Sequence, residues 1–176
     1  RPFPWTVDGV ELVFALAPKG TRVTSRIRFR PREGAPAGPF FLHGEGLRLI
    51  EARVDGAPVQ PVVTPEGLTC DVPLGPFTWE ATVEVDPDGN TRLEGLYLSN
   101  GIYCTQCEAE GFRRITFYPD RPDVLAPFRV RVEDDLPVLL SNGDPVGAGD
   151  GWAEWNDPWP KPSYLFALVA GDLVAN

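Results

Sequence analysis

Apolar and polar positions alternate along most of this chain, which is the period of strands with one buried face. Val10, Leu12, Phe14 and Leu16 alternate with Glu11, Val13 and Ala15, and Pro18-Lys19-Gly20 ends that run. Val23, Ser25, Ile27 and Phe29 then share one face, with Thr24, Arg26, Arg28 and Arg30 on the other. The cleanest alternation sets Phe77, Trp79, Ala81, Val83 and Val85 against Thr78, Glu80, Thr82 and Glu84. Phe128, Val130 and Val132 repeat the pattern against Arg129 and Arg131. Shorter strands are expected at Phe40-Phe41-Leu42, Leu47 to Val54, Leu68 to Val72 with Cys70 facing the core, Leu96 to Leu98, Ile102-Tyr103, Val138 to Leu140 and Tyr164 to Ala170. Turn chemistry separates them: Asp55-Gly56, Asp86 to Asn90, Asn100-Gly101 and Ser141 to Asp144, with a proline-rich loop from Pro31 to Pro39. No dozen residues keep a 3.6 period free of Gly and Pro, so no helix is expected. The pattern predicts an all-β fold in one domain over residues 1–176.

Composition adjusts this picture in four ways. With 18 Gly and 20 Pro dispersed between periodic runs, many short elements joined by many turns are expected. A net charge of -9 argues against nucleic acid as a partner, because phosphate binding needs a basic footprint. The row of arginines at 26, 28 and 30 therefore reads as a solvated strand face. No apolar run has the length of a membrane span and the start has no apolar leader core, so no membrane partner and no signal peptide are expected. Three cysteines, Cys70, Cys104 and Cys107, do not make a disulfide framework, and they favour a reducing, cytoplasmic setting.

Candidate chemistry is concentrated between Cys104 and Asp123, where cysteines, carboxylates, arginines and aromatics crowd together. If that backbone stays extended, Gln106, Glu108 and Glu110 project to one side, and two carboxylates on one face are best tolerated with a cation between them, such as a protonated amine. A solvated acidic turn is the plain alternative. Cys104-Thr105-Gln106-Cys107 has C-x-x-C spacing, but a redox pair would open a helix, and a zinc site would need Cys70 and His43 to converge on it. The lone His43 supports no histidine-based metal site or relay and reads as structural. Trp152, Trp155 and Trp159 could form an aromatic binding patch of a stand-alone β-sandwich module, or a packed corner. No H-E-x-x-H, G-x-S-x-G or P-loop is present, so the chain is not expected to be an enzyme by itself.

The same central stretch carries a resemblance. Residues 104–111 (CTQCEAEG), 112–118 (FRRITFY) and 120–126 (DRPDVLA) resemble the signature run of the N-terminal domain of the bacterial aminopeptidase N family, which belongs to the gluzincin zinc aminopeptidases. Residues 42–49 (LHGEGLRL), 139–143 (LLSNG) and 164–172 (YLFALVAGD) are similar to it in the same order. The resemblance implies a saddle-shaped, β-sandwich-like assembly of antiparallel and mixed sheets, packed in a longer enzyme on a catalytic domain that is absent here and that holds the zinc. It also implies that Glu108 takes the free α-amino group of a peptide substrate and that Gln106 lines the pocket for the first side chain. No cofactor is expected in this chain itself.

Overall fold

The structure is a computed structural model and describes residues 1–173. In chain order the strands are β1 (Trp5–Ala15), β2 (Thr21–Pro31), β3 (Phe41–His43), β4 (Arg48–Val54), β5 (Ala57–Pro58), β6 (Val62–Thr64), β7 (Gly67–Thr69) and β8 (Phe77–Val85). There follow β9 (Gly95–Ser99), β10 (Ile102–Gln106), β11 (Ala126–Glu133), β12 (Val138–Ser141), β13 (Asp144–Gly149), β14 (Trp152–Lys161) and β15 (Leu168–Gly171). Two single-turn 3-10 segments, Phe112–Arg114 and Ser163–Leu165, are the only helical elements among the described residues. The fold is all-β, as the alternation predicts.

The strands form three sheets. The largest runs β13-β14-β11-β1-β2-β8-β4-β5, a second runs β12-β15-β10-β9, and a small third runs β3-β7-β6. Among the described residues only the β1–β11 pairing is parallel, with Val10 opposite Phe128 and Phe14 opposite Val132, so the large sheet is mixed. Its inner face is built from the alternating residues: Val10, Leu12, Phe14, Val23, Ile27, Phe29, Phe77, Trp79, Val83, Phe128, Val130 and Val132 are all buried. Its outer face carries the arginines of β2, of which Arg22 pairs across strands with Glu84, Arg26 with Glu11 and Glu80, and Arg30 with Asp8. Opposite charges on neighbouring exposed strands offset one another, and nothing in that row presents an isolated basic stripe.

The core is closed by a segment between β10 and β11 whose one regular element is the 3-10 turn Phe112–Arg114. Phe112, Ile115, Phe117 and Tyr118 are fully buried. Phe112 meets Phe128 of the large sheet edge-on at 5.8 Å and Phe166 at 5.4 Å, while Phe14 stacks on Phe166. Each such ring, once buried, contributes about 1.5–3 kcal/mol of apolar transfer free energy. The stretch between β10 and β11 is thereby clamped between the large sheet and the second one.

Two expected strands differ in detail. The run from Tyr164 begins as a 3-10 turn and becomes a strand only at Leu168, because Phe166 turns inward to join the aromatic cluster. Cys70 lies just beyond β7 and is half-buried, on the wall of an open groove beside Phe40 and Leu74 instead of in the core.

Candidate functional site

The second sheet delivers the backbone to the central stretch. Within β10, Tyr103 pairs with Ala170 and Gln106 with Gly95. The Leu168 N–H donates to Thr105 Oγ1 at 2.8 Å, pinning the strand end to β15. The strand stops at Gln106. Residues 107–111 form a tight turn, closed where the Gly111 N–H donates to the Cys107 carbonyl at 2.9 Å. This corrects the expectation of an extended backbone: Glu108 and Glu110 do not continue the Gln106 face of a strand but stand on the turn. Gln106 remains part of the arrangement, since its Oε1 accepts the Glu108 N–H at 3.2 Å. Gln106, Glu108 and Glu110 are all exposed, whereas Cys107 is buried and anchors the turn.

Beneath the turn lies a buried carboxylate. Asp120 is 5% exposed, and its Oδ2 accepts both the Arg113 backbone N–H at 3.2 Å and Arg113 Nε at 3.0 Å. Its Oδ1 accepts the Ser163 hydroxyl, and its own backbone N–H donates to His43 Nδ1 at 3.2 Å. His43 is in turn bridged to Tyr118 by reciprocal backbone hydrogen bonds. A buried charge is stable only when paired and hydrogen-bonded, and here both carboxylate oxygens are satisfied. Sequence reading marks Asp120 only as part of a dense stretch. Ser163 and His43 reach it from far along the chain, so no local pattern announces them.

The arginines of this region are already committed. Arg113 holds Asp120 and comes within 3.7 Å of Glu110. Arg114 sits between Glu45 at 2.8 Å and Glu94 at 3.2 Å. Among the described residues, Glu108 has no Lys, Arg or His nitrogen within 4.0 Å, so its carboxylate, on an exposed residue, is unpaired. Such a group can accept hydrogen bonds from an incoming cation with two or three N–H donors.

The other candidates lose their chemistry in the fold. Burial, with Asp120 nearby, pushes the Cys107 thiol up to about 12, and burial raises Cys104 as well, so neither is a ready thiolate. Cys104 lies on a strand and Cys107 on a turn, without the helix that a redox pair would open. No three His, Cys, Asp or Glu side chains gather into a metal-holding group among the described residues. His43 has the structural role expected of it: burial, then Arg113, lowers its pKa, and its Nδ1 serves as an acceptor. The tryptophans do not make one patch. Trp152 lies under Arg131 on the polar face of β14, Trp155 faces the other way and donates its indole N–H to the Leu139 carbonyl, and Trp159 is 77% exposed.

With the geometry described, likeness to known proteins is informative. Residues 66–165 match the Peptidase M1 N-terminal domain family. Aminopeptidase N of Caulobacter vibrioides is 51% identical to the chain over 183 residues, covering 98% of this chain and 21% of that protein. The solved structure of Legionella pneumophila aminopeptidase A in complex with aspartic acid superposes with a TM-score of 0.91 at 32% identity, covering 99% of this chain and 22% of that one. A Deinococcus radiodurans M1 zinc metallopeptidase bound to a Tyr-Ser-Ala substrate shares the fold, with a TM-score of 0.78 at 20% identity over 96% of this chain and 42% of that one. The chain spans about a fifth of the length of the curated relatives it matches.

Proposed function

Because this chain belongs to the Peptidase M1 N-terminal domain family, we propose that it is the amine-anchoring domain of a larger aminopeptidase. In this reading residues 1–176 form one domain that packs on the enzyme's own catalytic domain and projects Glu108 toward the substrate cleft. The substrate is a peptide with a free N-terminus, and the parent protein works in the cytoplasm, a setting compatible with three free thiols.

One observation carries the proposal: Glu108 is an exposed carboxylate on a braced turn, unpaired while both neighbouring arginines are held by other acids. An α-ammonium offers the complementary charge and donors. Once the cleft closes, the pair is desolvated, and an acylated or missing amine would leave Glu108 buried without a partner. That penalty selects free N-termini and places the first peptide bond a fixed distance from the anchor. Gln106, which accepts the Glu108 N–H, fixes the turn and borders the space for the first side chain.

Among the described residues no group of side chains gathers to hold a zinc ion, and the metal of this reading belongs to the catalytic domain. Bound there, zinc would polarise the scissile carbonyl and activate water. What residues 104–120 do is bind and orient.

The test is Glu108→Gln in the full-length enzyme, assayed on an alanyl anilide. Truncating one partner of a desolvated charge pair costs roughly 2–5 kcal/mol, so kcat/KM falls by about 30-fold or more. An unchanged kcat/KM would remove the anchoring role.

A further inference from the structure

The arginines flanking the turn raise a question of charge traffic. Arg113 and Arg114 follow Glu108 by five and six residues, and Arg113 comes within 3.7 Å of Glu110 on the same turn. Both are held by other acids. Arg113, with only 13% of its side chain exposed, is fixed by the buried Asp120 through Nε, its backbone N–H and a further bond from Nη2 to the Asp120 carbonyl at 3.2 Å. Arg114, 19% exposed, is shared by Glu45 and Glu94, and the Glu45 N–H also donates to the Arg113 carbonyl at 3.0 Å. Glu110 approaches the same Arg113 Nη2 at 3.7 Å. Four acids, Asp120, Glu45, Glu94 and Glu110, thus converge on two guanidinium groups, while Glu108, on the same turn as Glu110, takes part in none of these pairs.

We propose that Asp120, Glu45 and Glu94 are positioning residues that sequester Arg113 and Arg114, so that Glu108 meets the substrate ammonium unneutralised. This rests on the anchoring role of Glu108 given above. A carboxylate already paired with a guanidinium would have to exchange a tethered cation, present at high effective concentration, for a diffusing one. Keeping the arginines occupied therefore preserves affinity for the amine without adding any contact to the substrate. Their presence retains the bracing that holds the turn.

The experiment uses the full-length enzyme and takes the ratio of Ki for a des-amino hydroxamate to Ki for the corresponding amino-acid hydroxamate. The ratio measures recognition of the amine alone. Asp120→Asn loosens Arg113, and Glu45→Gln with Glu94→Gln frees Arg114 by changing one half-buried and one exposed side chain. Each is expected to lower the ratio about five- to tenfold, the scale of one competing ion pair near a surface. Adding Arg113→Gln to Asp120→Asn, or Arg114→Gln to the double glutamate variant, is expected to restore the ratio without raising the melting temperature. Should Asp120→Asn fail to fold, the Arg114 series decides. A ratio unchanged on releasing Arg114, or one that the added arginine substitution does not restore, overturns the proposal. Glu108→Gln is measured alongside: if it leaves the ratio intact, the anchoring role itself fails, whereas collapse there with no change in the other variants rejects sequestration alone.

Discussion

Replacing Gly111 by alanine probes how tightly the Glu108 turn is built. Gly111 has φ -77° and ψ -23°, a conformation that alanine adopts readily, so backbone strain is not the issue. In the unfolded chain alanine would even help, by about 0.4–1 kcal/mol. Space decides against it. A Cβ at this position would press into the Gln106 carbonyl oxygen and lie 2.9 Å from the Cys107 Cα, both backbone atoms that cannot rotate away. The strand end and the turn would have to separate by roughly 1 Å to regain ordinary contact. Overpacking of this kind costs about 1–3 kcal/mol. The effect on function should be larger, because a displacement of about 1 Å in a positioned group can cost on the order of a hundredfold in rate. The assay is kcat/KM of the full-length enzyme on an alanyl anilide, with Gly75→Ala as control. Gly75 has open space where a Cβ would go, so that variant should match the wild type. Activity of Gly111→Ala within about twofold of wild type would refute the claim that this contact holds Glu108 in place.

Two further outcomes follow from the titrating groups under the turn. His43 has its pKa lowered from 6.5 by burial and Arg113, so the unfolded chain takes up a proton before the folded one does; its contribution is complete above about pH 6.5 and declines as pH falls below that value toward the folded pKa. Amide exchange over residues 107–120, corrected for intrinsic rate, should therefore quicken between pH 7.5 and 5.5, and His43→Gln should abolish that increment; an identical pH response in the variant would exclude His43 as its source. Cys107, pushed up to about 12, should resist iodoacetamide at pH 8 in the native enzyme and react only on denaturation, and rapid native labelling would contradict its burial.

Much of the architecture was legible because a strand with one buried face repeats every two residues, a signal confined to a few neighbouring positions. Val23, Ile27 and Phe29, or Phe77, Trp79 and Val83, declare their face without reference to anything distant, and all are buried. Glycine and proline turns mark the ends equally locally. Where a residue left the alternation for a tertiary reason, as Phe166 does in joining Phe14 and Phe112, the local pattern misled and a strand was expected too early.

The site divides along the same line. The chain alone determined that Gln106, Glu108 and Glu110 lie close together, and that acids, arginines and aromatics crowd one stretch. Only the tertiary structure decided which acid stays free. Glu108 is unpaired while Asp120, Glu45 and Glu94 hold Arg113 and Arg114, and Ser163 and His43 converge on Asp120 from distant parts of the chain. Coulomb and hydrogen-bond partners are chosen by distance in space, which a linear pattern of residue types does not encode.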